Sequence, residues 1–176
     1  SKPDSYDICF VADGDTRGFL TRALGSSPGQ MVTPDGEVLG EHSGYFGFTV
    51  GQRKGLGLTR PAPDGQPRYV LETRPATNEV VVGPASLLQR TSLDADALVL
   101  LAAPESLGSG EAGWAGVHVQ VRAHGRPVPA RVTVDAEAFT IHAELDEPLR
   151  GVASGQSVVV YGGPNGERVL AQATVA

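Results

Sequence analysis

The stretch "VHVQVRAHGRPVPARVTVD", residues 117–135, decides the fold. Val117, Val119 and Val121 alternate with His118, Gln120 and Arg122, and after a turn rich in Gly and Pro the alternation resumes through Val132 and Val134. A period of two places one set of side chains on one face of a strand and the rest on the other, as in a half-buried hairpin. Working outward, "FTIHAEL" (139–145), "SVVVYGG" (157–163) and "VLAQATV" (169–175) repeat the pattern, and "DALVLL" (96–101) precedes it. Six such strands separated by Gly, Pro or Asp turns predict a small, closed antiparallel barrel. Between the first two, "PESLGSGEAGWAG" (104–116) reads as a flexible insertion.

Upstream, the β units are smaller. "MVTPDGEVLG" (31–40) carries a Pro-Asp-Gly turn between two short strands, and "PRYVLETRPATNEVVVG" (67–83) is a second hairpin with Thr77 and Asn78 near its turn. The long Gly-rich connection between them, residues 41–67, is the kind of loop that carries function or stays disordered. Residues 84–94 read as a connector. At the start, "DICFVADG" (7–14) is a β-prone run, and "DTRGFLTRALG" (15–25) predicts a short helix. Asp13 or Asp15 can cap it, Phe19/Ala23 and Leu20/Leu24 pair one turn apart, and Gly25 stops it. One strand and one helix cannot bury a core, so this segment needs a partner.

The organisation expected is therefore mainly β. Residues 1–25 form a strand-helix remnant, 26–86 a small central β-domain with a basic Gly-rich loop, and 92–176 a six-stranded antiparallel barrel. The 176 residues suffice for one medium domain or two small ones. No run approaches the roughly 18 apolar residues of a membrane span, and no basic segment followed by an apolar core opens the sequence. A single cysteine cannot form an internal disulfide, which fits a reducing, cytoplasmic setting. A net charge of −6 argues against coating nucleic acid by bulk attraction, but leaves room for a local basic patch.

Three sets of residues are candidates for chemistry. "TVGQRKGLGLTR" (49–60) gathers Arg53, Lys54 and Arg60 with no acid, while Gly51, Gly55 and Gly57 let the backbone approach a ligand. Cationic side chains with accessible N–H groups suit phosphate contacts, although the spacing is not that of a nucleoside-triphosphate loop; a solvated turn is the alternative. Cys9 is a potential thiolate nucleophile, but Asp4, Asp7, Asp13 and Asp15 surround it in sequence and would hold it as a thiol if they cluster. On local residues alone it reads as a buried structural cysteine. His42 is a candidate base or ligand, yet the four histidines lack metal-ligand spacing with the one cysteine. Arg122, His124, Arg126 and Arg131 form a modest basic rim or a plain solvated face.

Three segments together resemble the tRNA-specific 2-thiouridylase family, over essentially the whole chain. "DSYDICFVADGDTRGFL" (4–20) is similar to the family's D-S-x-x-I-C-F segment. "GEHSGYFGFTVGQRKGLGL" (40–58) looks like its long G-x-H-x-G…T-[IV]-G-Q-R-K-G-L-G signature, and "EPLRGVASGQSVVVYGG" (147–163) resembles a barrel segment. The chain departs from the usual pattern at Tyr6-Asp7, where Thr-Gly is common, and it lacks a second Arg-Tyr element near residues 121–130.

The resemblance implies a three-part enzyme of which this chain holds the end of the catalytic domain, the central β-domain and the barrel. The adenylating S-G-G-x-D-S loop and a first catalytic cysteine are absent from the sequence. Cys9 then aligns with the second catalytic cysteine, which takes persulfide sulfur relayed from a cysteine desulfurase or sulfur-relay protein. Gln52, Arg53 and Lys54 would meet tRNA. The full enzyme would use ATP and Mg to activate C2 of the wobble uridine, this chain holding no cofactor or metal itself. Alone it would be inactive. The rival reading is a non-catalytic RNA-binding β-module with a structural cysteine.

Overall fold

A computed structural model describes residues 15–58, 64–163 and 166–176. The expected N-terminal strand, with Cys9, and Arg60 lie outside the described residues. The chain divides into two compact units, the first ending at Leu87 and the second running from Leu88 to Ala176.

In the first unit, α1 spans Thr16–Leu24. Asp15 caps it as expected, its Oδ1 accepting from the Gly18 N–H at 2.9 Å and satisfying one of the donors a helix start leaves open. Gly25, at φ 79°, ends it by donating to the Thr21 carbonyl at 2.9 Å. Four strands follow: β1 (Gly29–Val32), β2 (Val38–His42), β3 (Tyr69–Arg74) and β4 (Glu79–Gly83), ordered β2-β1-β4-β3.

Both expected hairpins form. In the first, the Gly36 N–H closes the turn onto Thr33 O at 3.0 Å, and Gly36 takes the positive φ of 86° that the turn requires. A parallel pairing of β1 with β4, Met31 opposite Val80, joins the two hairpins. Local patterning contains no trace of this pairing, because it links segments far apart in sequence. Met31, Leu56, Val70, Val80 and Val82 form the small core beneath the sheet.

The second unit contains β5 (Gln89–Leu100), β6 (Glu105–Gly108), β7 (Glu111–Gln120), β8 (Val128–Asp135), β9 (Thr140–Arg150), β10 (Ser157–Gly162) and β11 (Arg168–Val175). Their order is β10-β11-β5-β9-β8-β7-β6, and β10 also pairs with β7, Val160 opposite Val119. That last pairing closes six antiparallel strands into the expected barrel, leaving β6 as an outward hairpin partner of β7. Val117, Val119, Val132, Ala143, Val158 and Ala171 are among the inward residues, buried to 4% exposure or less. Small and β-branched side chains suit the narrow interior of such a barrel.

Two sequence expectations are corrected here. Residues 104–116 are not an insertion without structure; they form the β6–β7 hairpin, with Trp114 buried at 3% exposure. Their glycines mark tight turning and close approach. A Cβ at Gly113 would fall 2.0 Å from the Val132 carbonyl oxygen, so only glycine lets β7 lie against β8 there. The presumed connector is also shorter than expected, because β5 begins at Gln89.

Candidate functional site

The connection between β2 and β3 is built on His42, the last residue of β2 and buried to 9% exposure. Its Nδ1 accepts from the Gly44 N–H at 3.0 Å, and its ring packs against Phe48 with centroids 5.4 Å apart. An Nδ1 that accepts carries no proton, so the neutral ring holds its proton on Nε2. Burial lowers the His42 pKa from its ordinary value, and the nearby backbone carbonyls of Gln30 and Asn78 oppose that shift only in part. His42 is therefore a neutral pin inside the fold. Its candidate role as a ligand gains no neighbours, since no group of three or more His, Cys, Asp and Glu among the described residues is arranged to hold a metal.

Beyond the pin, the chain makes a 3-10 turn at Tyr45–Gly47, against which α1 lies. Gly44 is dictated by space, because a Cβ there would come within 2.4 Å of the Phe46 ring. Asn78, at φ 53° in the β3–β4 turn, ties this region together. Its amide nitrogen donates to the Ser27 and Pro28 carbonyls, both at 2.9 Å, and its Oδ1 accepts from the Tyr45 N–H at 3.4 Å.

The loop carrying the basic residues is braced from within. Gln52 Oε1 accepts from the Thr49 N–H at 3.1 Å, and its Nε2 donates to the Lys54 carbonyl at 2.9 Å. The backbone N–H of Gly51 and carbonyl of Gln52 bond both polar groups of Val70, at 2.8 and 2.9 Å, which fastens the loop to the edge of β3. Leu56, 7% exposed, plugs the far side into the sheet core. Arg53 and Lys54 sit between these anchors, exposed. Among the described residues no acidic group lies within ion-pair distance of either.

Several other cations are paired instead. Arg68 pairs with Asp64 at 3.1 Å, and Arg74 with Glu72 at 3.1 Å and Glu79 at 3.4 Å. On the barrel, Arg126 pairs with Glu147 at 3.0 Å, Arg131 with Glu111 at 2.9 Å, and Arg122 donates to the Gly151 carbonyl at 2.6 Å. The candidate rim is thus largely engaged within its own surface, while the loop tip holds its charge free. Of the three loop residues singled out from sequence, Arg53 and Lys54 face solvent and Gln52 is turned inward. Asn78 was visible only as a turn residue, because its partners Tyr45, Pro28 and Ser27 lie 33, 50 and 51 positions away in sequence.

Comparison with known proteins covers both units. Residues 17–84 match the tRNA methyl transferase PRC-barrel domain, and residues 91–175 match the aminomethyltransferase beta-barrel domain. The chain is 56% identical over 179 residues to a tRNA-specific 2-thiouridylase MnmA of Beutenbergia cavernae, covering 100% of this chain and 45% of the relative. The chain belongs to the tRNA-specific 2-thiouridylase family. It matches the C-terminal portion of that family's proteins. The MnmA of Salinispora tropica is 53% identical over 99% of this chain and 47% of its own length, and that of Streptomyces coelicolor 47% identical over 99% and 44%. The chain spans about half the length of the curated relatives it matches.

Proposed function

We propose that this chain is the C-terminal part of a tRNA 2-thiouridylase, a sulfurtransferase that replaces the C2 oxygen of the wobble uridine with sulfur. The observation that carries the reading is the alignment of the whole chain, at 56% identity, with a protein named for that activity. On this reading residues 1–25 end the catalytic domain, 26–86 form the central β-domain, and 92–176 are the barrel. The protein acts in the cytoplasm, and its sulfur donor is a cysteine desulfurase or relay protein.

Cys9 is the persulfide-bearing nucleophile. The terminal persulfide sulfur attacks uridine C2, and the activated C2 oxygen leaves. A second cysteine then attacks Cys9 Sγ; the S–S bond to the transferred sulfur breaks, a Cys–Cys disulfide forms, and the sulfur stays on C2. ATP and Mg supply the activation of the C2 oxygen and belong to the half of the enzyme outside this chain, as does the second cysteine. The chain alone is inactive.

Arg53 and Lys54 take phosphates of the anticodon region, held in register by the Gln52 brace. If the four aspartates near Cys9 in sequence also cluster around it, a reactive thiolate there needs a compensating positive charge.

In the full-length enzyme, Cys9→Ser is expected to abolish 2-thiouridine formation while tRNA binding stays within about twofold, since a Ser-for-Cys exchange alters reactivity more than shape. Thiolation at the normal rate in that variant overturns the catalytic assignment. It would leave the second reading, an RNA-binding β-module with a structural cysteine, which the self-contained bracing of the loop favours.

A further inference from the structure

The outer surface of the barrel has two different characters. Across β5, β9 and β8 the rows of side chains are charged: Ser92, Glu144 and Arg131 lie side by side, and Asp94, His142 and Thr133 form the next row. Across β7, β10, β11 and β5 they are not. Gln120, Val159, Gln172 and Val99 share one row. His118, Tyr161 and Val169 share the next, which Leu101 extends where its N–H donates to the Leu170 carbonyl at 2.9 Å. Neither row contains Asp, Glu, Lys or Arg, and Arg168 stands only at the margin. Val99, Leu101 and Val169 are nevertheless 50%, 61% and 37% exposed. Apolar residues exposed singly are ordinary, whereas a contiguous uncharged set marks a surface that another body covers.

We infer that this uncharged face is where the half of the enzyme outside this chain docks on the barrel. The chain covers 45% of one relative and 47% of another and matches their C-terminal portion. More than half of a family protein therefore lies outside it, enough to fold as a domain with its own core. The size of the face selects this occupant over a second copy of the chain. Four strands about 4.8 Å apart and two rows of side chains make a patch on the order of 300 Å². A stable free dimer needs about 800 Å² from each partner. A domain on the same polypeptide meets the face at a local concentration of about millimolar, where a smaller apolar contact holds. The charged rows of β9 and β8 are left to solvent. The choice of occupant rests on the reading of this chain as the C-terminal part of a larger enzyme.

The test is maleimide labelling of Val99→Cys and Leu101→Cys, each made in this 176-residue chain and in the full-length enzyme. Mass spectrometry reads either site on the tryptic peptide 91–122, which holds no native cysteine. In the 176-residue chain both sites are expected to react at the rate of an exposed thiol. In the full-length enzyme both should slow at least about tenfold at every protein concentration, as for a docked state populated nine times in ten. Glu144→Cys, on the charged face, should label equally in the two proteins. Equal rates for Val99→Cys and Leu101→Cys in the two proteins overturn the inference. So does protection that grows with protein concentration, which assigns the face to a second copy. Protection that appears only when tRNA or a sulfur-donor protein is added also overturns it. If both sites label freely while Cys9→Ser abolishes thiolation, only the docking falls. If both are protected while Cys9→Ser still thiolates tRNA, the docking stands and the catalytic assignment falls.

Discussion

The side-chain amide of Gln52 donates to the Lys54 carbonyl at 2.9 Å, so the residue before the basic pair fixes the backbone of the pair's second member. Its other end accepts from Thr49 at 3.1 Å. Both polar ends of the side chain are therefore committed inside the loop, and Gln52 positions the cations without contributing charge.

Gln52→Ala removes two hydrogen bonds of about 0.5–1.5 kcal/mol each. The expected outcome is tRNA affinity reduced roughly three- to tenfold, with an unchanged slope against salt, because no phosphate contact is lost. Binding isotherms of wild type and variant across a salt series check this. A reduced slope would mean that Gln52 touches the RNA after all.

His42 gives a pH dependence with a definite sign. Burial depresses its folded-state pKa below the ordinary 6.5, so the unfolded chain binds that proton more readily. The contribution is complete above the unfolded value and is lost as pH falls from there through the folded one. Protonation also puts a hydrogen on Nδ1, which then cannot accept from Gly44. Urea midpoints at about pH 7.5 and about pH 5.5 should differ more in wild type than in His42→Ala, which should itself cost about 1–3 kcal/mol at the higher pH. An identical pH response in both proteins contradicts the pin.

Asn78 combines a positive φ of 53° with an amide reaching Ser27, Pro28 and Tyr45. Asn78→Ala loses both properties and should cost about 2–3 kcal/mol, whereas Asn78→Gly keeps the conformational freedom and should cost about 1 kcal/mol less. Thermal unfolding of the two variants separates the backbone contribution from the amide contribution. Equal losses would assign everything to the hydrogen bonds.

Barrel closure rests on the seam where Val119 faces Val160, both fully buried. Val119→Ala should destabilise the second unit by about 2 kcal/mol, allowing for the cavity left behind. Val99→Ala, at a position 50% exposed, should stay within about 0.5 kcal/mol. Denaturant midpoints of the two variants check the contrast.

The barrel was legible because its inward positions repeat every second residue, from Val117 and Val119 through Ile141 and Ala143 to Ala171 and Ala173. Alternation survives without knowledge of which strands pair. The β6–β7 hairpin was misread because glycine signals both flexible chain and close approach, and only the 2.0 Å separation between a Gly113 Cβ and Val132 O distinguishes the two. The β1–β4 pairing and the reach of Asn78 to Ser27 escaped for another reason: each depends on the meeting of distant segments that carry no shared local pattern. In the loop, residue types revealed the free cations Arg53 and Lys54. They did not reveal that the glutamine beside them is turned inward.

The most direct test of the central claim is the salt dependence of unmodified tRNA binding to this chain and to its Arg53→Ala/Lys54→Ala variant. If each cation neutralises one phosphate, the double variant should lower the magnitude of the slope of log K against log salt by about 1.4–1.8 and weaken binding at low salt. Equal slopes in the two proteins, or no tRNA binding by the wild-type chain at low salt, would contradict the account.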